Sequence, residues 1–261
     1  MRVESFCDNA YGAPDPAGGP YFGIEVEYEN ASALTDPFGR WSVVQDGSLR
    51  RGGLEFVSRP LSMRAAAGAF RWLTEWAQFN GFEGGVRCGI HVHADVRSLE
   101  LDQIKGVLAA YAAFEPLLYH VAGHERDQCV YCVPWYKAPD QALMVPYLNH
   151  RRNRMFMDSG GELVKYSGLY MQPMWRFGTL EFRMAPAWLE SAPMVRWLRI
   201  INRLITWGRN QTPESVLDAC LSDPNMLVRE VFADTMADIH DPEAVMDKVD
   251  SLGVVGMMIP N

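Results

Sequence analysis

The chain has 261 residues, 48% of them apolar, which suffices for a core of domain size and excludes disorder over most of its length. Its 24 lysines and arginines stand against 32 aspartates and glutamates, and this net charge of −8 argues against general nucleic-acid binding. The longest apolar run, residues 104–121, is broken by Glu115, Pro116 and His120, so no membrane span is expected there. Five cysteines, an odd number, and an N-terminus without a signal-peptide pattern lead us to expect reduced thiols and a cytoplasmic location.

Residues 1–20 have loop composition, with Gly12, Pro14, Pro16, Gly18, Gly19 and Pro20. Strict alternation then predicts a strand over 21–29, with Ile24, Val26 and Tyr28 on one face and Glu25, Glu27 and Glu29 on the other. Two more strands are predicted at 41–45 and 54–58, with Asp46-Gly47 as a turn between them. An alanine-rich helix follows over 62–80, then a strand over 88–96, then a helix capped by Ser98 that runs to about Gly123. Residues 125–146 read as a long irregular loop.

Strands are predicted again at 166–171 and 179–184, followed by a long helix over 192–209 that buries Met194, Trp197, Leu198, Ile201, Leu204 and Ile205. Thr212-Pro213 and Asp241-Pro242 each pair a capping residue with proline at the first helical position. Strands adjoin early and late rather than alternating with helices. The expected class is therefore α+β: an antiparallel sheet with helices packed on one side, one domain over 21–261, and a helical C-terminal cap from about 212.

Side chains two apart share a sheet face, so four strands bring ionisable groups to one surface. They are Glu25, Glu27 and Glu29; Glu55; His91 and His93; and Glu181 with Arg183. A solvated sheet face is the ordinary explanation of any one such pair. The whole set is mostly carboxylate and imidazole, and three glutamates in one strand repel each other unless cations lie between them. Oxygen-rich donors with an occasional imidazole suit Mg²⁺ or Mn²⁺, and Mg²⁺ in turn recruits phosphate oxygens.

The ordered series G-I-E-V-E (23–27), D-G-S (46–48), L-E-F-V-S (54–58), G-I-H-V-H (89–93), K-Y-S-G-L (165–169) and T-L-E-F-R (179–183) resembles the amidoligase family of carboxylate–amine ligases, the group that includes glutamine synthetase and glutamate–cysteine ligase. The resemblance spans roughly 21–209. It implies a curled antiparallel sheet of the glutamine synthetase type that holds ATP and two or three Mg²⁺ or Mn²⁺ ions. Glu25, His91 and Glu181 would hold the ion that bridges the ATP phosphates, and Glu27 with Glu55 the ion nearer the acceptor. Arg183 would meet the transferred phosphoryl group and Lys165 would serve as a second cationic clamp. A small-molecule or peptide carboxylate would become an acyl phosphate, which an amine then attacks.

Glu29, Asp46 and His93 are candidates to bind the amine and take its proton, and Tyr166 and Arg126 to touch substrate. Asp46 and Glu55 compete for the second-segment ligand. Tyr170 stands where the family often has asparagine, which bears on the substrate contact.

Other constellations are weaker. His120, His124, Cys129 and Cys132 have spacings a zinc site could use, though a buried cysteine pair beside two helix-end histidines is the simpler account. Arg151, Arg152 and Arg154 form a local basic patch, and no glycine run makes a P-loop or dinucleotide fingerprint. A metal-dependent amide hydrolase and a non-catalytic nucleotide-binding member of the fold remain as alternatives to the ligase. The sequence leaves oligomeric state open.

Overall fold

The computed structural model describes residues 2–5, 7, 20–31, 41–148, 165–236 and 249–259. Its strands are β1 (Phe22–Tyr28), β2 (Trp41–Gln45), β3 (Leu54–Ser58), β4 (Gly89–Asp95), β5 (Leu169–Tyr170) and β6 (Thr179–Pro186). They form one six-stranded sheet in the order β2-β3-β1-β4-β6-β5, and every neighbouring pair is antiparallel.

Alternation decides which face is buried. Ile24, Val26 and Tyr28 of β1 are fully buried, as are Phe56, Ile90, Val92, Leu180 and Phe182. Helices α1 (Met63–Phe79) and α2 (Leu101–Ala122) pack on this face. Trp76 of α1 meets Phe56 edge-on at 5.6 Å between ring centres, and Tyr111 of α2 meets Phe182 at 6.0 Å. Burying each such side chain contributes about 1.5–3 kcal/mol. The opposite face, with the acids and imidazoles, faces the cleft.

Ser62 caps α1, its hydroxyl accepting from the Ala65 N–H at 3.4 Å. The cap of α2 is Glu100 rather than Ser98, because Leu99 N–H still bonds Val96 O in the preceding turn and Gln103 Oε1 accepts from Glu100 N–H. The 125–146 segment is more ordered than expected. It holds 3-10 turns at His124–Gln128 and Val145–Tyr147 and helix α3 (Asp140–Met144).

The strand expected at 166–171 shrinks to β5, because Ser167 bridges Val133 in a parallel contact instead of pairing with the sheet. A short helix α4 (Pro173–Arg176) and Gly178, at φ +71°, then turn the chain into β6.

Helix α5 (Ser191–Gly208) buries the six apolar residues the periodicity selected. Thr212 caps α6 (Pro213–Ser222), and Asp223 caps a further helix, α7 (Pro224–Phe232), that the sequence reading did not pick out. Helix α8 (Val249–Met257) buries Val254 and Val255. The start expected at Asp241-Pro242 and the Arg151–Arg154 cluster lie outside the described residues. Among the described residues no helix is long and apolar enough to cross a membrane.

Candidate metal centre and catalytic cleft

Register, more than spacing along the chain, assembles the site. Pairing of β1 with β3 sets Glu27 opposite Glu55, and pairing of β1 with β4 sets Glu25 opposite His91. Pairing of β4 with β6 sets His93 opposite Glu181, after a bulge between Ile90 and Val92 that leaves His91 between registers. Asp46 follows the last residue of β2 and turns back, its Oδ1 accepting from Ser48 N–H at 2.7 Å.

Three overlapping groups result, each offering one ligand atom per residue within 4.8 Å of the others: Glu25–His93–Glu181, Glu25–Glu55–His91 and Glu27–Asp46–Glu55. Two ends of a cleft are thus joined through Glu25 and Glu55. Glu25 and Glu181 share one group and Glu27 and Glu55 another, while the imidazoles are distributed differently from the expectation. His93, expected to contact substrate, shares the Glu25–Glu181 group, and His91 shares Glu25 with Glu55. His91 keeps contact with both, its Nδ1 lying 3.2 Å from Glu25 Oε2 and 3.8 Å from Glu181 Oε1. His93 Nε2 lies 3.4 Å from Glu25 Oε1, while its Nδ1 is 3.2 Å from the Thr179 hydroxyl, which orients the ring. Asp46 and Glu55 do not compete: both belong to the Glu27 group.

The electrostatics follow from crowding. Burial works to raise the Glu25 carboxyl, but hydrogen bonds from His91 and His93 outweigh it and hold that group well below the usual carboxylate range. Burial raises Glu27 despite His91 and the N–H of Gly89, which donates to Glu27 Oε2 at 2.8 Å. Glu55 is pushed up to about 8 by burial and then by the charges of Glu25 and Glu27. Without a cation, Glu25 stays ionised while Glu55 keeps its proton at neutral pH. Hard oxygens, with one imidazole in each of the two groups that share Glu25 and none in the Glu27 group, are the donor chemistry of Mg²⁺ or Mn²⁺, so the residues fit such ions.

Arg183 bonds Glu181 through Nη1, and its buried Nε has no hydrogen-bond partner in the structure. A cavity of about 270 Å³ opens beside Glu25 and His93, lined also by Ser58, Arg59, Phe177 and Thr179.

The other expected contacts divide. Lys165 lies over the Tyr166 ring, 5.0 Å from its centre, and Arg183 N–H donates to Gly168 O at 2.8 Å, so the K-Y-S-G-L run borders Arg183. Glu29 is drawn out of the cleft floor, its Oε1 accepting from Arg50 N–H at 3.0 Å. Arg126 is 3% exposed and donates to the carbonyls of Met184, Val86 and Arg183 at 3.0, 3.1 and 3.3 Å, which makes it a clamp on the backbone behind the site. The cysteine pair is taken up likewise: Cys129 and Cys132 thiols reach the carbonyls of Val86 and Arg126 at 3.8 and 3.4 Å. Among the described residues, none of the metal-compatible groups includes His120, Cys129 or Cys132, and the His124 side chain lies outside the described part.

Sequence reasoning missed Arg87. Its Nη1 donates to Ser48 O at 3.1 Å and to the Tyr131 hydroxyl at 2.5 Å. No local pattern marks it, since it sits in a turn before β4 and meets Ser48 and Tyr131 only through the packing of two other loops.

An antiparallel sheet with one face sealed by helices and the other lined by carboxylates and imidazoles defines an α+β protein with a candidate divalent-metal centre. The family model described as "putative amidoligase enzyme" matches residues 19–205, which include all six strands and every residue of the three groups. The chain belongs to that family. No individual curated protein matches it.

Proposed function

We propose that this protein is an ATP-dependent carboxylate–amine ligase with a glutamine synthetase-like catalytic fold, forming an amide or peptide-type bond through an acyl phosphate. The observation that carries the reading is the convergence of Glu25, Glu27, Glu55, His91, His93 and Glu181 from four strands into linked ligand groups. Family membership supports the ligase class. We assign residues 21–261 to one catalytic domain, with the helices after about residue 212 as its cap.

A carboxylate is a poor electrophile because oxide would have to leave; phosphorylation by ATP gives it a phosphate leaving group and releases ADP. Such transfer depends on positioning and charge neutralisation more than on covalent help from protein. Two or three Mg²⁺ or Mn²⁺ ions, held by the three groups, would supply charge neutralisation at the phosphates. The cavity beside Glu25 and His93 favours the nucleotide at that end, which leaves the Glu27–Asp46–Glu55 end for the carboxylate substrate.

Arg183, with a free Nε, and Lys165 border the same edge and neutralise the transferred phosphoryl group. Thr179 holds the His93 ring in place. The amine must lose a proton before attacking the acyl carbon, and this reading gives that proton to Asp46, at the edge of the Glu27 group. Phosphate then leaves and the C–N bond is complete.

The test offers purified protein ATP, Mg²⁺ and pools of carboxylates and amines. ADP and phosphate that appear only with both substrates are expected. Amide cleavage without ATP would instead establish a hydrolase, and nucleotide binding without turnover a binding module. Glu25→Ala and Glu181→Ala are expected to abolish turnover with the circular dichroism spectrum unchanged. Wild-type activity in either variant would overturn the ligand assignment.

A further inference from the structure

The wall at the Glu27–Asp46–Glu55 end is unlike the rest of the cleft. Arg87 stacks over the Tyr131 ring at 5.4 Å, Tyr131 meets Tyr166 edge-on at 5.8 Å, and Lys165 lies over Tyr166. Arg87 reaches Ser48 O, and Ser48 N–H reaches the Asp46 carboxylate, so this row begins at the rim of the acid group. Neither Arg87 nor Lys165 has an ion-pair partner among the described residues. In a chain of net charge −8, with five carboxylates crowded in the adjoining cleft, two such cations are out of keeping with a merely solvated face.

The residue before each of two wall members adds a second feature. Val86 is 71% exposed and Val130 is 68% exposed. Val86 O accepts from Arg126 Nη1 at 3.1 Å and from the thiol of Cys129, the residue before Val130, at 3.8 Å. Isolated exposed valines need no explanation, but two of them beside tyrosines and cations that lack a carboxylate partner have the composition of a docking surface.

We infer that this wall, Val86–Arg87 with Val130–Tyr131, Tyr166 and Lys165, docks an acidic peptide whose carboxyl end enters the Glu27–Asp46–Glu55 end of the cleft. The inference rests on the ligase reading for the fate of that carboxyl, and on charge complementarity for the peptide. Arg87 pairs with an acidic side chain, the valines cover an apolar neighbour, and the tyrosine edges line the path inward. The partner is an extended chain rather than a free amino acid.

Binding tests this without turnover. A fluorescein-labelled short peptide of alternating glutamate and valine with a free carboxyl end, and its lysine-for-glutamate counterpart, are titrated with the full chain in Mg²⁺ buffer and followed by anisotropy. The overall charge of the protein favours the lysine peptide; the wall favours the acidic one, by an expected margin of about tenfold or more. Arg87→Glu is expected to cancel that preference, Arg87→Lys to retain much of it, and Lys165→Glu to weaken it independently should Arg87→Glu fail to fold.

Equal or inverse preference in the wild type, or an unchanged preference in both charge-reversed variants, overturns the inference. So does free glutamate competing at the affinity of the peptide. Peptide binding with no ATP turnover on any substrate would sink the ligase reading and leave the docking surface standing. Turnover of free amino acids with no peptide binding would do the reverse.

Discussion

Glu115 lies in the core of α2, only 1% exposed, yet it carries a carboxyl. It accepts hydrogen bonds from the Tyr111 hydroxyl and from the backbone N–H groups of Trp135 and Tyr136, the latter two at 2.8 and 3.2 Å, so it ties α2 to the loop that supports the cleft wall. Burial pushes it up to about 7 from an ordinary 4.5, despite those donors. The folded chain therefore holds this proton more tightly than the unfolded one. Its contribution is full below about pH 4.5 and is lost as pH rises through 7, a difference on the order of 3 kcal/mol. Urea unfolding of wild type and Glu115→Gln at pH 5 and pH 8 checks this. The variant should lose less stability between the two pH values, and a parallel loss in both proteins would refute it.

At the scale of elements, the K-Y-S-G-L run shows how a motif is held. Its strand is short because Val133 bonds both sides of it: Val133 N–H to Tyr166 O at 2.6 Å and Gly168 N–H to Val133 O at 2.9 Å. Gly168 is required for closeness, since a Cβ there would lie 2.3 Å from the Tyr119 hydroxyl and 2.7 Å from that of Tyr111. Tyr111 is itself anchored by Glu115 and cannot retreat without breaking that bond. Gly168→Ala should cost about 1–3 kcal/mol. It should also lower ligase activity more than stability alone explains, because the run borders Arg183 and carries Lys165. A melting temperature equal to wild type would show the approach to be looser than described.

The same scale explains which elements were readable. β1 and α5 were found because a period of two or of 3.6 is written in neighbouring residues. α7 has the same Asp-Pro signal as the start expected at 241 and was overlooked, while β5 was overdrawn because Val133, far off in sequence, takes part of its pairing.

For the whole molecule, the site sets stability against function. Bare, the cleft crowds Glu25, Glu27, Glu55 and Asp46, and burial with mutual repulsion raises Glu55. A divalent ion bound there stabilises the folded chain by about 2.7 kcal/mol at a concentration of about 100 times its Kd. Calorimetry after chelation, then with added Mn²⁺, should therefore show a rise in melting temperature for the wild type. Glu55→Gln, which removes a carboxyl that burial and its neighbours hold at about 8, should melt at or above wild type without metal and gain less from Mn²⁺. An equal gain in both proteins would exclude Glu55 from the metal centre.

The sequence by itself determined the acid–imidazole face, the helical cover and most of the residues that gather in the three candidate groups, because alternation along a strand is a local property that fixes which side chains share a side. Only the tertiary structure decided which imidazole joins which carboxylate, that Asp46 and Glu55 lie in one group, that Arg126 and Glu29 brace backbone, and that Arg87 reaches the turn after Asp46. Those outcomes depend on strand register, on one bulge in β4–β6 pairing and on loops packed across long separations, and none of these is encoded in the spacing of residues along the chain.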